Sequence, residues 1–145
     1  MIVQRSCSTD EPGAKDPVYD SCLQPHRYQS LHYHRPQGTN PKKSRWLVTS
    51  DDECHTFCEA KDAGWSDKDG DLWFVHRDAR ELGAAGERVA TFSHPHDGVP
   101  WHGYPVAGHK KAVIRRHVPR EVLTTWQQDR VTTRALLTKL WKRQA

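Results

Sequence analysis

A stretch rich in proline, histidine and aromatic residues decides how the rest of the chain is arranged: residues 90–106 read ATFSHPHDGVPWHGYPV. Its prolines each remove a backbone donor, and its glycines permit positive φ angles. Neither helical nor strand periodicity fits the stretch, so it predicts an ordered loop with a fixed path. The residues that set this path are Pro95, Gly98, Pro100, Gly103 and Pro105.

The loop carries the densest group of chemically capable side chains in the chain, namely His94, His96, Asp97 and His102. Imidazole titrates near neutral pH, so neighbouring histidines can act as general acid and base or bind a metal ion such as zinc. We therefore take His94, His96 and His102 as candidate catalytic residues of the 94–102 loop. The alternative is a rigid cap whose histidines hydrogen-bond to the backbone, because a His-x-His pair also occurs by chance.

Two large aromatic residues, Trp101 and Tyr104, flank His102. Aromatic side chains carry much of the binding energy of protein interfaces. The pair is therefore a candidate interaction patch, and it makes a protein-directed inhibitor or assembly factor one functional alternative.

The composition indicates a small single domain. Its 145 residues suffice for one core, and 35% hydrophobic against 28% charged residues predicts a core that depends on aromatic side chains. The longest apolar run, residues 72–75, is far shorter than the roughly 20 residues that cross a bilayer. The polar N-terminus lacks the apolar stretch of a signal peptide, so we expect an intracellular, cytoplasmic protein without a membrane partner. The alternative is a protein exported without a cleaved signal.

Outward from the loop, the pattern predicts a small sheet packed against one helix. β-Branched and aromatic residues concentrate in three stretches that we assign as strands, at 46–49, 71–76 and 87–92. An Asp-Gly step before the second of them predicts a hairpin-like corner. A helix is expected at 51–63, capped by Ser50 and ended by Gly64. The predicted fold class is α+β, with a small antiparallel sheet, one packed helix and a C-terminal helical hairpin.

The first 45 residues show several prolines and little periodicity. They predict an irregular N-terminal arm at 1–45 that wraps the body without joining its core, with one short edge strand at 28–34. Residues 46–145 are then the α+β domain.

The C-terminal part, residues 109–145, is the most basic part of the chain. It holds ten Lys/Arg against two acidic residues, a net charge of +8, whereas residues 1–108 have a net charge of −4. Pro119 and a threonine near residue 132 mark the starts of two short helices, whose Trp and Leu residues fall on one side. This helical hairpin presents its basic residues on the other side.

Such an uneven charge favours an anionic partner for the C-terminal helices, either nucleic acid or an acidic protein surface. Arginine and lysine would mostly contact phosphates there. The candidate nucleic-acid-binding residues are Arg115, Arg116, Arg134, Lys139, Lys142 and Arg143. The alternative is a solvated positive face on a helical pair that simply docks on the sheet. The sequence leaves the oligomeric state open.

The four cysteines are Cys7, Cys22, Cys54 and Cys58, and their spacing does not resemble that of a secreted disulfide scaffold, so we expect reduced thiols. Cys54 and Cys58 lie one helical turn apart and are candidate zinc ligands, with a cysteine of the arm or His26 completing the site. The paired spacing of common zinc motifs is missing, and buried cysteine commonly behaves as a small hydrophobic residue. We therefore expect no cofactor, with zinc as the alternative.

These patterns favour a small intracellular binding module that engages nucleic acid or an acidic protein through its basic C-terminal helices. The competing hypothesis is a histidine-dependent nuclease or other phosphodiester-processing hydrolase. In that hypothesis the 94–102 loop supplies the acid and base, and Arg115, Arg116 or Arg134 holds the phosphate.

Overall fold

The protein is described here by a computed structural model that covers residues 7–23, 25–96 and 98–142. A three-stranded antiparallel sheet separates two hydrophobic cores, so the fold is α+β as the sequence predicts. The elements in chain order are β1 (Val18–Asp20), β2 (Arg27–Gln29), a 3₁₀ turn (His32–His34), α1 (Ser50–Ala63), β3 (Leu72–Val75), β4 (Val89–Ser93), β5 (His102–Ala107), α2 (Arg120–Gln128) and α3 (Arg134–Trp141). None of these helices is long and apolar enough to cross a membrane.

The central sheet has the order β3-β4-β5 with antiparallel neighbours, and β1 pairs with β2 in a separate small sheet. Strand β3 is buried along its whole length. Leu72 and Phe74 pack in the core under α1, whereas Trp73 and Val75 pack in the core under α2 and α3. Because both faces of the strand are covered, its sequence is continuously apolar instead of alternating.

Helix α1 begins one residue earlier than predicted and is capped by Thr49 instead of Ser50. The Thr49 hydroxyl accepts a hydrogen bond from the Asp52 backbone amide at 3.2 Å, which satisfies one of the unpaired donors of the first turn. Gly64 ends the helix with φ of 73°, as its position predicts. The expected strands at 71–76 and 87–92 are confirmed as β3 and β4.

The Asp-Gly corner before β3 is confirmed and is held by one carboxylate. The Asp67 side chain accepts hydrogen bonds from the backbone amides of Asp69 and Asp71 and from the Trp73 indole, at 2.9 to 3.1 Å. The backbone amide of Asp67 also donates to the carbonyl of Asp71 at 2.9 Å. These bonds fix Gly70 and Asp71 at one edge of the candidate site described below.

The expected strand at 46–49 is wrong, and the third strand is instead β5, which lies inside the stretch predicted to be a loop. Trp46 forms only an isolated bridge with Gly83. Its side chain is fully buried, and its indole donates to the carbonyl of Gly103 at 3.1 Å. Strand β5 tolerates Pro105 since it lies at the edge of the sheet, where a missing amide need not break a ladder.

The N-terminal arm contributes to the core, contrary to the prediction that it only wraps it. Tyr19 and Tyr28 are buried at 5% and 0% exposure, in the β1-β2 hairpin that packs on α1. The predicted edge strand at 28–34 is partly wrong, because β2 ends at Gln29 and a 3₁₀ turn follows. This arrangement brings β2 beside the end of α1.

The two C-terminal helices form the predicted pair. Pro119 precedes the first helix as its N-cap, and the Thr133 hydroxyl caps the second by accepting from the Leu136 amide at 3.2 Å. Trp126, Leu136 and Leu140 are buried against the sheet, so the pair is anchored by its apolar side.

Candidate functional site

A cleft of about 570 Å³ opens where the end of α1, β2 and the segment between β4 and β5 meet. Its volume falls in the usual range for small-ligand sites. The cleft lies on the α1 side of the sheet, and none of its lining residues comes from α2 or α3. The titratable and aromatic residues that line it are His26, Arg27, Lys61, His94, His96 and Trp101.

His94 is positioned by the corner before β3. Its backbone amide donates to the Asp71 carboxylate at 2.8 Å. Gly70 has φ of +90°, and a Cβ atom there would lie 3.3 Å from Nδ1 of His94. A side chain at position 70 would therefore be strained and would crowd the imidazole, so glycine leaves room for the ring.

Trp101 forms the floor of the cleft and joins it to the small sheet. The ring is 6% exposed and packs against Phe57 with centroids 5.3 Å apart. The Trp101 amide donates to the carbonyl of Arg27 at 2.9 Å, and its carbonyl accepts from the Gln29 amide at 2.7 Å. These bonds tie the segment that carries His94 to the strand that carries Arg27.

Two cations belong to the lining of the cleft. The Lys61 Nζ atom lies 5.6 Å from the centroid of the Trp101 ring, a distance typical of a cation–π contact. One guanidinium nitrogen of Arg27 donates to the carbonyl of Gly98 at 3.4 Å. The cleft lining therefore carries two positively charged side chains.

His26 is the one imidazole of the described cleft lining that is partly buried. Partial burial, and secondarily the nearby positive charge of Lys61, lower its pKa below the ordinary value of 6.5. The ring is therefore mostly neutral at pH 7 and can accept a proton. His94 and His96 are exposed to solvent at the mouth of the cleft.

No carboxylate belongs to the cleft lining among residues 7–23, 25–96 and 98–142. Asp71 lies between two lining residues in the sequence but does not line the cleft itself. Its carboxylate accepts a hydrogen bond from the His94 amide and lies 3.9 Å from the Arg116 guanidinium. Asp97, which the sequence places between the histidines, lies outside the described residues. The described lining therefore favours an anionic ligand.

The structure brings His94 and His96 together but places His102 elsewhere. His102 begins β5 one residue after Trp101, and side chains alternate between the two faces of a strand. It lies near His34, whose pKa burial lowers to about 4. Burial also lowers the pKa of His102. This histidine is not among the residues that line the cleft.

The proposed interaction patch does not present an exposed ring pair. Trp101 is buried, and Tyr104 is half-buried and stacked on His34 with ring centroids 5.0 Å apart. Both rings serve packing within the described part of the chain.

Most of the candidate nucleic-acid-binding residues are exposed, whereas Arg116 is engaged in contacts within the protein. Arg134, Lys139 and Lys142 are exposed, and none of them forms a salt bridge within the described ranges. Arg115 is also exposed and donates to the carbonyl of Lys110. Arg143 lies outside the described residues.

Arg116 is engaged inside the molecule. Its guanidinium lies 5.1 Å from the Trp73 ring centroid, donates to the Tyr104 hydroxyl at 3.4 Å and lies 3.9 Å from the Asp71 carboxylate. These contacts hold the segment before α2 against the sheet. Arg116 is therefore less available to a partner than Arg134, Lys139 and Lys142.

The expectation of reduced thiols is wrong for two of the four cysteines, because Cys7 and Cys54 form a disulfide with Cα atoms 6.3 Å apart. Cys22 and Cys58 are free thiols. Cys54 and Cys58 both lie on the buried face of α1, as predicted. Their cluster with Cys7 and Cys22 is the only place where the described residues gather three metal-ligating side chains.

Sequence reasoning missed Arg27 and Lys61 as site residues and considered His26 only as a metal ligand. No local signal marks them, because they come from an arm and a helix end far from the 94–102 loop. Comparison with known proteins finds no matching family model, no matching curated protein and no matching solved structure. The function must therefore be argued from the chemistry of the cleft.

Proposed function

We propose that the protein cleaves RNA phosphodiester bonds in the cleft lined by His26, Arg27, Lys61, His94 and His96. The observation that carries this proposal is the convergence of three imidazoles and two cations on one cleft with no carboxylate in its described lining. Imidazoles supply proton transfer near neutral pH, and the cations offset the charge of the phosphate.

The substrate class follows from what the cleft lacks. Its described lining contains one hydroxyl side chain, Ser66, and no thiol. RNA carries its own nucleophile, the 2′-hydroxyl, so a protein needs only a base, an acid and a group that holds the phosphate. DNA lacks this hydroxyl and is not cleaved by the same route.

In the proposed reaction a neutral imidazole takes the proton of the 2′-hydroxyl as the 2′-oxygen bonds to phosphorus. The bond from phosphorus to the 5′-oxygen breaks, and an imidazolium gives its proton to that leaving oxygen. The products are a 2′,3′-cyclic phosphate and a free 5′-hydroxyl, so atoms and protons balance without a metal ion.

The roles follow from the environments. His26 is the base, because burial and Lys61 favour its neutral form. His94 and His96 are exposed, and one of them is the acid. Arg27 and Lys61 hold the non-bridging phosphate oxygens, for which the guanidinium offers two parallel donors.

The test uses an RNA oligonucleotide with a fluorophore and a quencher, in buffer containing a chelator. We expect wild-type protein to cleave it, and His26→Ala and at least one of His94→Ala and His96→Ala to lower kcat/KM by roughly 10² to 10⁴. His117→Ala is the matched control, because His117 is exposed and outside the cleft. Cleavage products should end in a cyclic phosphate, and DNA of the same sequence should stay intact. Intact RNA with the wild type, or equal activity in all four histidine variants, would overturn the proposal.

A second candidate function is binding of nucleic acid by α2 and α3 without chemistry. It is favoured by the exposed, unpaired side chains of Arg134, Lys139 and Lys142 and by a groove of about 590 Å³ edged by Arg134 and Trp141. An acidic protein surface is the other partner class that such a face suits.

Salt dependence separates this function from cleavage. Affinity for single-stranded DNA, which the cleft would not cleave, should fall with salt, and Lys139→Gln should reduce the slope of log affinity against log salt by roughly 0.7. Lys42→Gln is the control, because Lys42 is exposed on the N-terminal arm. A flat salt dependence would contradict nucleic-acid binding by the helices and leave the cleavage test unaffected.

A further inference from the structure

All four cysteines of the chain meet at one place, although they come from three separate segments. Cys7 is bonded to Cys54, and its sulfur lies 3.5 Å from the Cys22 sulfur and 3.8 Å from the Cys58 sulfur. Cys7 and Cys22 belong to the N-terminal arm, and Cys54 and Cys58 belong to α1. The cluster therefore joins the arm to the helix.

Two of the sulfur separations are close to those of a tetrahedral thiolate site. A zinc–sulfur distance of about 2.3 Å places neighbouring sulfurs of a tetrahedron about 3.8 Å apart. The two separations between Cys7 and the free thiols, 3.5 and 3.8 Å, are close to this value. Cys54 and Cys58 are one helical turn apart, so both sulfurs leave the same face of α1.

The surroundings of the cluster also suit a metal ion. The Cys22 backbone amide donates to the Cys58 sulfur at 3.2 Å, the kind of contact that supports a ligating thiolate. Cys7, Cys54 and Cys58 are all buried, and a bound cation would stabilise their thiolates in place of the protons.

A fifth ligand candidate stands beside the cluster. Ring nitrogen and sulfur atoms of His55, Cys7 and Cys22 all lie within 4.8 Å of one another. The Nδ1 atom of His55 donates to the carbonyl of Asp51 at 2.8 Å, which leaves Nε2 with a free lone pair. That arrangement is typical of histidines that bind zinc.

We propose that reduction of the Cys7–Cys54 disulfide turns this cluster into a Zn²⁺ site whose four ligands are Cys7, Cys22, Cys54 and Cys58. A dithiol reductant supplies two electrons, breaks the sulfur–sulfur bond and is itself oxidised to a disulfide. The four thiols then bind Zn²⁺ and release their protons to water.

The site has a structural consequence for the cleft. Cys22 lies four residues before His26, and Cys58 lies three residues before Lys61, so the cluster fixes both walls that carry these residues. The disulfide makes this link under oxidising conditions, and the zinc ion makes it under reducing conditions. Binding of Zn²⁺ by the four cysteines does not depend on the proposed RNA cleavage.

The test is a titration of the full chain with Co²⁺, which reports tetrahedral thiolate ligation by its visible and near-ultraviolet absorption. Protein reduced with a phosphine, in metal-free buffer, should bind one Co²⁺ per chain, and Zn²⁺ should displace it. Oxidised protein should show no such bands. Reduced wild-type protein without these bands would overturn the proposal.

Variants identify the ligands. Cys22→Ser and Cys58→Ser keep the Cys7–Cys54 disulfide, so circular dichroism of the oxidised variants checks that they fold. After reduction, each should lose at least tenfold in Co²⁺ affinity and show fewer sulfur-to-cobalt transitions, whereas His55→Ala should bind like the wild type. Unchanged spectra in both cysteine variants would overturn the four-cysteine site. Loss of the bands in His55→Ala alone would overturn the proposed ligand set.

Discussion

The two faces of the central sheet are covered in different ways. The face toward α2 and α3 is closed mainly by apolar packing, and the indole nitrogen of Trp126 is buried there with no hydrogen-bond partner among the described residues. The face toward α1 also encloses a charge. The Glu53 carboxylate accepts from Tyr28 and Ser30 hydroxyls and pairs with Arg35 at 3.0 Å.

Different interactions therefore hold the two sides of the sheet: apolar packing on the α2 and α3 side, and directional polar contacts as well on the α1 side. Apolar packing between two helices adjacent in the chain tolerates small adjustments, because it has no required direction. The Glu53 group requires that the arm and α1 meet in one geometry, since a buried carboxylate without partners is costly. The candidate cleft lies on this second face, so its residues are placed by directional contacts.

The largest expected effect tests the apolar face. Trp126 is fully buried between the helices and the sheet. Trp126→Ala should lower the free energy of unfolding by roughly 3 to 5 kcal/mol, because it leaves a large cavity. Urea unfolding followed by circular dichroism measures the change.

Trp126→Phe is the matched control for the missing hydrogen bond. The Trp126 indole nitrogen has no hydrogen-bond partner among the described residues, so Trp126→Phe removes only volume. It should lower the free energy of unfolding by less than half as much as Trp126→Ala. Equal losses in the two variants would contradict packing as the main attachment of the C-terminal helices.

The same contrast explains what the sequence could predict. Val122 and Trp126 repeat at helical spacing in α2, as do Leu136 and Leu140 in α3, so the C-terminal pair follows from local periodicity. The corner at residues 67–71 follows from one Asp-Gly step, and Gly64 follows from its position at the end of an amphipathic helix. Each of these signals is local in the chain.

The remaining features depend on partners that are distant in sequence. The sequence does not predict strand β5, because Gly103 and Pro105 and the prolines before them are typical of a loop. Only the pairing of β5 with β4 at the sheet edge makes these residues compatible with a strand. Trp46 lies in a stretch whose composition is typical of a strand, but it forms only an isolated bridge with Gly83. His26 and Lys61 come close to His94 only through the packing of the arm and α1, so no local sequence pattern predicts the cleft.

The second expected effect tests the buried charge through pH. Burial raises the pKa of Glu53 from 4.5 to about 7, despite the opposing effects of Tyr28 and Arg35. The folded state therefore binds this proton more tightly than the unfolded chain. Stability is unaffected by this group below about pH 4.5, falls as pH rises from 4.5 to 7, and then stays constant. The fall is roughly 3 kcal/mol at 1.36 kcal/mol per pKa unit.

Glu53→Gln removes this titration while keeping the shape of the side chain. The stability of the wild type minus that of Glu53→Gln should therefore decrease across pH 4.5 to 7, as measured by urea unfolding at several pH values. Glu81→Gln serves as the control, because Glu81 is exposed and its difference should stay flat. A difference that rises with pH would show that the ion pair with Arg35 outweighs burial.

The smallest expected effect compares the helix starts on the two faces. Thr49 caps α1 and Thr133 caps α3, and each hydroxyl accepts from a backbone amide at 3.2 Å. Thr49→Ala and Thr133→Ala should each lower the free energy of unfolding by about 1 kcal/mol. In each case a backbone amide at the equivalent position of the first turn loses its hydrogen-bond acceptor. Since capping is local, the two losses should be equal although the faces differ. A Thr133→Ala loss near zero, beside a full loss in Thr49→Ala, would show that α3 frays before the domain unfolds, and that only the α1 face takes part in the cooperative unit.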